Sequence, residues 1–281
     1  MRQDAGVTFD TPEEVVDFYS RSFERSRLRQ GRARLELLRV REILGERLPP
    51  PPSVVVDVGG GAGVHATWLA RRGYDVHLVD PVPLHVEQAR EASARQPDAP
   101  LASVSLADAR ALAFDDQSAD AALLLGPLYH LPERTDRIAA LTEARRVLRP
   151  GGVLVAIAFS RYTWLLDGLA TGRVFKHSDV LPRVAQGIET GLMTNPTRTR
   201  GRFTTAYLHR PAELENEVRD GGFDVEALLG VEGPGWLLQA FNQAWEDDAR
   251  RETLLEIARL VEEERELIPA STHMLVVARR I

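Results

Sequence analysis

Hydrophobic residues in this chain fall into two patterns that alternate along the sequence. Short, continuous apolar runs predict buried strands, and stretches in which apolar residues recur every three or four positions predict amphipathic helices. Because the two patterns alternate, the chain is expected to form an α/β fold around a mostly parallel sheet. Seven strands are predicted, at residues 54–58, 75–80, 101–106, 121–125, 153–159, 223–230 and 274–278.

Helices are predicted before the first strand and between the later ones. Thr11-Pro12-Glu13-Glu14 has the cap residue, the proline and the acid that are typical of a helix start. A second N-terminal helix is predicted at 32–48 and ends at the prolines 49–52. The regular pattern loosens between residues 160 and 210, which indicates an insertion. The remaining helices are predicted at 64–72, 83–95, 133–148, 164–169, 180–190 and 211–221, with another around 254–261.

The most informative stretch joins the first strand to the helix behind it. Val54-Val55-Val56-Asp57-Val58 is followed by Gly59-Gly60-Gly61-Ala62-Gly63. Glycines permit positive φ and allow backbone N–H groups to approach a ligand, so a strand, glycine turn and helix of this kind predict a nucleotide-binding corner. The third glycine of a dinucleotide fingerprint would fall on Val64, and no Gly-Lys-Ser/Thr follows for a phosphate loop.

This run resembles the first motif of the class I methyltransferases that use S-adenosylmethionine, and the small-molecule, UbiE-like branch in particular. Leu148-Arg149-Pro150-Gly151-Gly152, before the fifth strand, is similar to another family hallmark. The specific resemblance covers residues 52–159. It implies a Rossmann-like, seven-stranded, mostly parallel sheet, with S-adenosyl-L-methionine as cofactor and S-adenosyl-L-homocysteine as product. It also implies a helical lid at 1–52, a cofactor-binding core at 53–159, a substrate cap at 160–210 and the end of the core at 211–281.

The resemblance implies cofactor contacts at the ends of successive strands. Asp80 ends the second strand, where a carboxylate can accept both ribose hydroxyls. Asp108 and Ala109 follow the third strand, where the family binds adenine. The lid residues Tyr19, Arg27 and Arg39 are candidate contacts to the methionine part. The full set of implied cofactor residues is Tyr19, Arg39, Asp57, Gly59, Gly60, Gly61, Gly63, Asp80, Pro81, Asp108, Ala109, Leu125 and Gly126.

The methyl acceptor is expected beside the fourth strand, where the chain reads Gly126-Pro127-Leu128-Tyr129-His130. The Asp/Asn-Pro-Pro-Tyr/Phe motif of enzymes that methylate amino groups of bases is missing, which favours a small-molecule acceptor. His130 is a candidate general base because an imidazole titrates near neutral pH. A wall residue without a proton-transfer role is the alternative. The implied substrate residues are Tyr129, His130, Arg200, Tyr207 and His209, with His209 a second catalytic candidate.

Charge and composition narrow the function further. The net charge is −6 and cysteine is absent, which argues against a chain built mainly to bind nucleic acid and excludes disulfides and thiolate chemistry. No histidine pair has metal-ligand spacing, so no metal is expected. Without an apolar leader or span, a cytoplasmic protein is expected. Residues 21–47 carry nine Arg against four Glu, and 160–210 carry eight Arg or Lys against three acids, which favours a small anionic or polar acceptor.

Two alternatives to a small-molecule methyltransferase stay open at this point. The basic segments are also compatible with an RNA methyltransferase, whose binding would depend strongly on salt. The nucleotide-binding corner alone is compatible with a binding protein that has no catalytic activity. The sequence does not choose between O-, N- and C-methylation, nor between a monomer and a homodimer.

Overall fold

A mixed β-sheet runs through the protein, as the apolar runs predict. The computed structural model describes residues 13–19, 24–195, 199 and 203–281. Within these residues, seven strands coincide with the predicted ones and two short strands, β6 and β7, come from the insertion. The strands are β1 (Val54–Val58), β2 (Asp75–Asp80), β3 (Ser103–Leu106), β4 (Ala119–Leu124), β5 (Leu148–Ser160), β6 (Leu192–Met193), β7 (Ala206–His209), β8 (Phe223–Gly230) and β9 (His273–Arg280).

The order of the strands creates a crevice at one edge of the sheet. The order is β3-β2-β1-β4-β5, and β9 and then β8 continue the sheet beyond β5. Strands β1 to β5 are parallel to one another, whereas β9 is antiparallel to both β5 and β8. The chain leaves β1 towards β2 and β3, then returns to the other side of β1 for β4. Ligands of α/β folds bind at such a reversal, outside the carboxyl ends of the strands.

Helices cover both faces of the sheet. Several begin with a proline in the first turn, where a missing N–H costs nothing, and these include Pro83, Pro127 and Pro211. The helices are α1 (Glu13–Tyr19), α2 (Glu24–Arg27), α3 (Ala33–Arg47), α4 (Ala66–Ala70), α5 (Pro83–Ala94), α6 (Pro127–His130), α7 (Arg134–Val147), α8 (Thr163–Ala170), α9 (Arg173–Lys176), α10 (Val180–Thr190), α11 (Pro211–Asp220), α12 (Phe241–Glu246) and α13 (Asp248–Val261).

The core has one layer on each face of the sheet, which explains why the predicted strands are apolar throughout. Successive residues of β1 point to opposite faces: Val55 packs with Leu44 and Leu69 on one side, and Val56 packs with Leu141 on the other. A strand buried on both faces needs apolar residues at every position. Each fully buried valine or leucine side chain contributes about 1.5–3 kcal/mol.

The N-terminal helix α1 lies against the inserted segment. The carboxylate of Glu14 accepts hydrogen bonds from the backbone N–H (2.7 Å) and the hydroxyl (2.8 Å) of Thr205. The rings of Phe18 and Phe203 also meet, with centroids 5.2 Å apart. Helix α1 and the inserted segment therefore hold each other in place. In the part of the chain that the structure describes, no helix is long and apolar enough to cross a membrane.

Candidate functional site

The glycine turn after β1 packs tightly against β2. Gly59, Gly61 and Gly63 have φ angles of 70°, 56° and 79°, which disfavour any residue with a side chain. The N–H groups of Gly59 and Gly60 donate to the carbonyl of Val79 (2.8 and 3.2 Å). A Cβ at Gly60 would lie 2.8 Å or closer to atoms of Leu78 and Asp57. The glycines therefore form a turn that no other residues fit.

Asp80 is fixed at the end of β2 by the groups around it. Its Oδ2 accepts a hydrogen bond from the N–H of Gly61 (2.9 Å), and its Oδ1 accepts one from the N–H of Val82 (2.9 Å). The Nδ1 of His85 lies 3.0 Å from the same Oδ1. Asp80 thus ties the glycine turn to the start of α5 and keeps its carboxylate at the mouth of the crevice.

Asp57 is the other carboxylate beneath the turn, and its hydrogen bonding is incomplete. Its side chain is 1% exposed, and its Oδ1 has no hydrogen-bond partner among the described residues. Burial, together with the nearby carboxylate of Asp80, raises the pKa of Asp57 to about 7. A buried oxygen without a partner is costly unless a ligand supplies a donor or a positive charge.

Asp108 lies after β3 and is clamped by a neighbouring arginine. Its Oδ1 accepts from the backbone N–H (2.8 Å) and the Nε (2.9 Å) of Arg110, and its Oδ2 accepts from Nη2 (2.8 Å). Burial acts to raise the pKa of Asp108, but the hydrogen bonds and charge of Arg110 lower it below its ordinary value. A carboxylate can accept about four hydrogen bonds, so one position on Oδ2 is left for a ligand.

An aromatic group forms the wall at the end of β4. The Nε2 of His130 lies 2.8 Å from the hydroxyl of Tyr19 at the end of α1, and the His130 ring stacks on Phe203 with centroids 5.5 Å apart. Tyr129 packs on Phe159 at 4.2 Å. Burial, then the charges of His85 and Arg27, lower the pKa of His130 to about 3. The imidazole is therefore neutral at physiological pH, and its buried Nδ1 has no partner within the described ranges.

These groups surround one cavity of about 350 Å³ at the switch point of the sheet. That volume lies within the range of small-molecule and cofactor sites. Most of the residues that the sequence assigned to the cofactor and acceptor meet there. The predicted residues that line the cavity are Tyr19, Asp57, Gly59, Gly60, Gly61, Asp80, Pro81, Asp108, Ala109, Leu125, Gly126, Tyr129 and His130.

Two predicted cofactor residues are not part of this cavity. The side chain of Arg39 is 3% exposed and pairs with Glu42 and Glu262, so it joins α3 to the end of α13. It points away from the crevice because that face of α3 packs on the C-terminal helices. Gly63 belongs to the turn, but an added Cβ there would face Ala89 of α5 at 3.5 Å. The φ of 79° is what favours glycine there, and its contact to the cofactor stays a prediction, whereas the paired and buried Arg39 is corrected to a structural residue.

Two predicted acceptor residues also lie elsewhere. His209 is completely buried, and its Nε2 lies 3.0 Å from Glu217, which pairs in turn with Arg137. The ring of Tyr207 lies under the guanidinium of Arg137, with the Arg137 Cζ 3.7 Å from the ring centroid. Both side chains belong to a buried network beside α11 and not to the cavity wall, so the structure corrects these two assignments. Arg200 lies outside the described residues.

Several residues of the cavity wall were not assigned from the sequence. His65, His85 and Glu36 line the cavity, and Glu36 holds Arg27 through two hydrogen bonds (3.0 and 3.3 Å). Burial, then the charge of Arg41, lowers the pKa of His65 to about 4. Nothing in the local sequence marks these residues, because Glu36 and His85 are ordinary polar positions on helices and His65 is the residue just before α4.

Glu36 also belongs to a buried group with Glu232 and His273. One ligand-type atom from each of the three lies within 4.8 Å of the others, a spacing that a metal ion would fit. However, the Nδ1 of His273 is 2.5 Å from the Oε1 of Glu232, and the guanidinium of Arg27 covers both oxygens of Glu36. Burial acts to lower the pKa of His273, but the two carboxylates raise it above its ordinary value. The protonated His273 and the guanidinium of Arg27 therefore balance the two carboxylates, so the group forms an ion-pair network.

The sheet order, the glycine turn and the acids at three successive strand ends define a Rossmann-like protein with a nucleotide-type cofactor site. Comparison with known proteins narrows this class. A family model described as a methyltransferase domain matches residues 56–156. An uncharacterized methyltransferase of Mycobacterium tuberculosis is 37% identical over 107 residues, which are 38% of this chain and 40% of that protein. The ubiquinone/menaquinone biosynthesis C-methyltransferase UbiE of Acidiphilium cryptum is 32% identical over 122 residues, or 43% and 48%.

A solved structure shows the same fold over most of the chain. The S-adenosylmethionine-dependent methyltransferase of Methanosarcina mazei superimposes with a TM-score of 0.58 at 18% identity, covering 85% of this chain and 97% of that one. The matches to the two curated relatives, in contrast, span less than half of their length. Together these comparisons support a class I S-adenosylmethionine-dependent methyltransferase, since the domain model matches residues 56–156 and the solved structure shares the fold over most of the chain.

Proposed function

We propose that this protein transfers a methyl group from S-adenosylmethionine to a small-molecule acceptor. The observation that carries the proposal is the buried Asp57 beneath the glycine turn, beside Asp80 and at the mouth of the same cavity as Asp108. An unpartnered carboxylate with a pKa of about 7 suits a ligand that carries positive charge. A dinucleotide would instead bring a negative diphosphate to this turn.

The residues present fit this cofactor. Asp80 is in place to accept ribose hydroxyls, the free position on Asp108 Oδ2 and the N–H groups beside it suit an adenine edge, and Asp57 suits the ammonium end. When bound, S-adenosylmethionine supplies a methyl group on a positively charged sulfur. The protein then has to align the acceptor and exclude water, which supply up to roughly 7–11 kcal/mol in well-oriented reactions.

The acceptor side of the cavity supports a substrate with an apolar or aromatic body. Tyr19, Tyr129 and His130 form its wall, with Ile157 and Leu28 nearby. Planar rings of this kind pack well against aromatic ligands. The predicted contact between Arg200 and an anionic substituent falls outside the described residues, so it stays a prediction, tested by the acceptor affinity of an Arg200→Ala variant.

His130 has a positioning role in this proposal. A base whose pKa is about 3 holds a proton weakly, so it adds little as a general base. Tyr19 fixes the imidazole ring of His130. The buried Nδ1 of that ring can form one hydrogen bond to the substrate that receives the methyl group, as donor or as acceptor according to the tautomer. A ring held in this way orients a hydroxyl or an amine for attack without taking up its proton.

Calorimetric binding of S-adenosylmethionine, S-adenosylhomocysteine and NADH tests the assignment. We expect both adenosyl compounds to bind and NADH not to bind. Asp80→Asn should weaken binding at least tenfold, because the neutral amide replaces an acceptor of ribose hydroxyls with a donor. Gly61→Val should remove binding, since Gly61 has a φ of 56°.

Asp75→Asn is the matched control for the Asp80 variant. Asp75 begins the same strand that Asp80 ends, and it is exposed at the opposite edge of the sheet. The control should bind the cofactor as the native protein does. NADH binding, or an equal loss in both variants, would contradict the proposal.

A further inference from the structure

A second pocket lies behind the glycine turn, outside the cavity already described. Its volume is about 210 Å³, and three arginines and two glutamines contribute to its wall. The lining residues are Arg29, Ala62, Gly63, Val64, Thr67, Arg71, Gln88, Ala92, Arg95 and Gln96. Ala62 and Val64 also line the cofactor cavity, so the glycine turn separates the two spaces.

The positive charge at this pocket is poorly compensated. Arg29 and Arg71 have no carboxylate partner in the part of the chain that the structure describes, and Arg95 has only an exposed contact with Glu91 at 3.5 Å. These positive charges also act on Arg41, whose pKa is lowered to about 10 by burial and then by the charges of Arg71 and Arg29. Most other described arginines pair with an acid, so this concentration of unpaired charge is unusual in the molecule.

The pocket also contains a buried polar atom that lacks a partner. Gln88 is 7% exposed, and its Oε1 has no hydrogen-bond partner within the described ranges. Unsatisfied buried polar atoms are uncommon and call for a ligand or a bound water. The amide offers an acceptor or, if its two ends are exchanged, a donor. Gln96 accepts a hydrogen bond from Arg71, which fixes that guanidinium at the pocket rim.

We propose that this pocket binds a small anion that carries a phosphate or carboxylate group, separately from the cofactor. The anion lies between Arg29 and Arg71, with the glycine turn as the wall towards the cofactor. At its buried end the Gln88 amide has its two ends exchanged, so that its NH2 donates to the anion. Guanidinium groups form paired hydrogen bonds with both kinds of anion. Binding is measured with no cofactor or acceptor present, so the test does not depend on methyl transfer.

Titration of the intact protein with inorganic diphosphate and with citrate, at constant ionic strength, tests this site. We expect saturable binding of at least one of the two, and the stronger ligand identifies phosphate or carboxylate chemistry. Arg71→Gln should weaken that binding at least tenfold, and Gln88→Leu should weaken it at constant charge. Circular dichroism and the unfolding midpoint establish that each variant is folded.

Arg72→Gln is the matched control for the charge. Arg72 follows Arg71 in sequence and is exposed, but its guanidinium lies over Trp68, 4.9 Å from the ring centroid, and it does not line the pocket. The control should change affinity less than threefold. Equal losses in the Arg71 and Arg72 variants would show diffuse surface charge and overturn the proposal. If one equivalent of S-adenosylhomocysteine displaced one equivalent of the anion, the two would share a site, and the proposal of a separate anion site would be wrong.

Discussion

Asp57 gives the most quantitative prediction, because its cost in the ligand-free protein can be worked from the structure. The carboxylate is 1% exposed, and one of its oxygens has no partner among the described residues. Asp57→Asn keeps the shape of the side chain and removes its charge. We expect this variant to be more stable than the native protein at alkaline pH and to bind S-adenosylmethionine more weakly.

The size of the expected stability change follows from the pKa of Asp57. Folding raises the pKa of Asp57 from 3.8 to about 7, which is about three pH units. Each unit corresponds to about 1.4 kcal/mol, so ionised Asp57 costs the folded protein about 4 kcal/mol. Because the folded state binds the proton more tightly, native stability falls as pH rises from about 4 to about 7 and then levels off. The gain from Asp57→Asn should thus be about 4 kcal/mol at pH 8 and under about 1 kcal/mol at pH 4.

Urea unfolding at several pH values between 4 and 8 measures this difference. Asp75→Asn, an exposed change on the neighbouring strand, is the control and should leave the pH profile unaltered. Calorimetry with S-adenosylmethionine completes the test, since the native protein should release a proton on binding below pH 7 and the variant should not. Parallel stability profiles for the native protein and Asp57→Asn would refute the reasoning.

Two further substitutions test the packing that supports the site. Gly60→Ala should lower the free energy of unfolding, measured in urea, by about 1–3 kcal/mol, because the added Cβ would lie 2.7 Å from Leu78. Gly45→Ala is the control, at an exposed helical position with no atom within 4 Å of the added Cβ. It should raise the free energy of unfolding by up to about 1 kcal/mol. Glu217→Gln should cost about 3–5 kcal/mol at pH 7, since it leaves Arg137 buried without its partner. Glu217 has a pKa of about 2 when folded, so its contribution is present above pH 4.5 and is lost towards pH 2, where the curves of the variant and the native protein should converge.

The donor side of the site could be predicted because its information is local. The glycine turn follows β1 directly, and Asp80 and Asp108 come at or just after the ends of strands. In a parallel sheet the carboxyl ends of neighbouring strands meet at one edge, so residues at these positions converge without any knowledge of distant contacts. The strands themselves were predictable for a similar reason, since burial on both faces requires an unbroken apolar run.

The same reasoning failed at His209, and the failure is instructive. His209 also ends a strand, but β7 pairs with no more of β5 than its last two residues and otherwise with the short β6, and its end faces α11. There Glu217 binds the imidazole, which closes the position to any ligand. Position at a strand end therefore predicts a site residue only for strands next to the switch point.

The sequence indicates Tyr129 and His130, but the contacts that arrange the aromatic wall could not be predicted because they join residues far apart in sequence. The hydrogen bond between Tyr19 and His130 spans 111 positions. Neither partner carries a local pattern that identifies the other. Helix α1 has to be docked before Tyr19 can fix the ring of His130, so the shape of this wall depends on tertiary packing. In the proposed function, a change in α1 or in the insertion would reshape the acceptor side of the cavity, whereas the glycine turn and its acids depend on local sequence and would keep their arrangement.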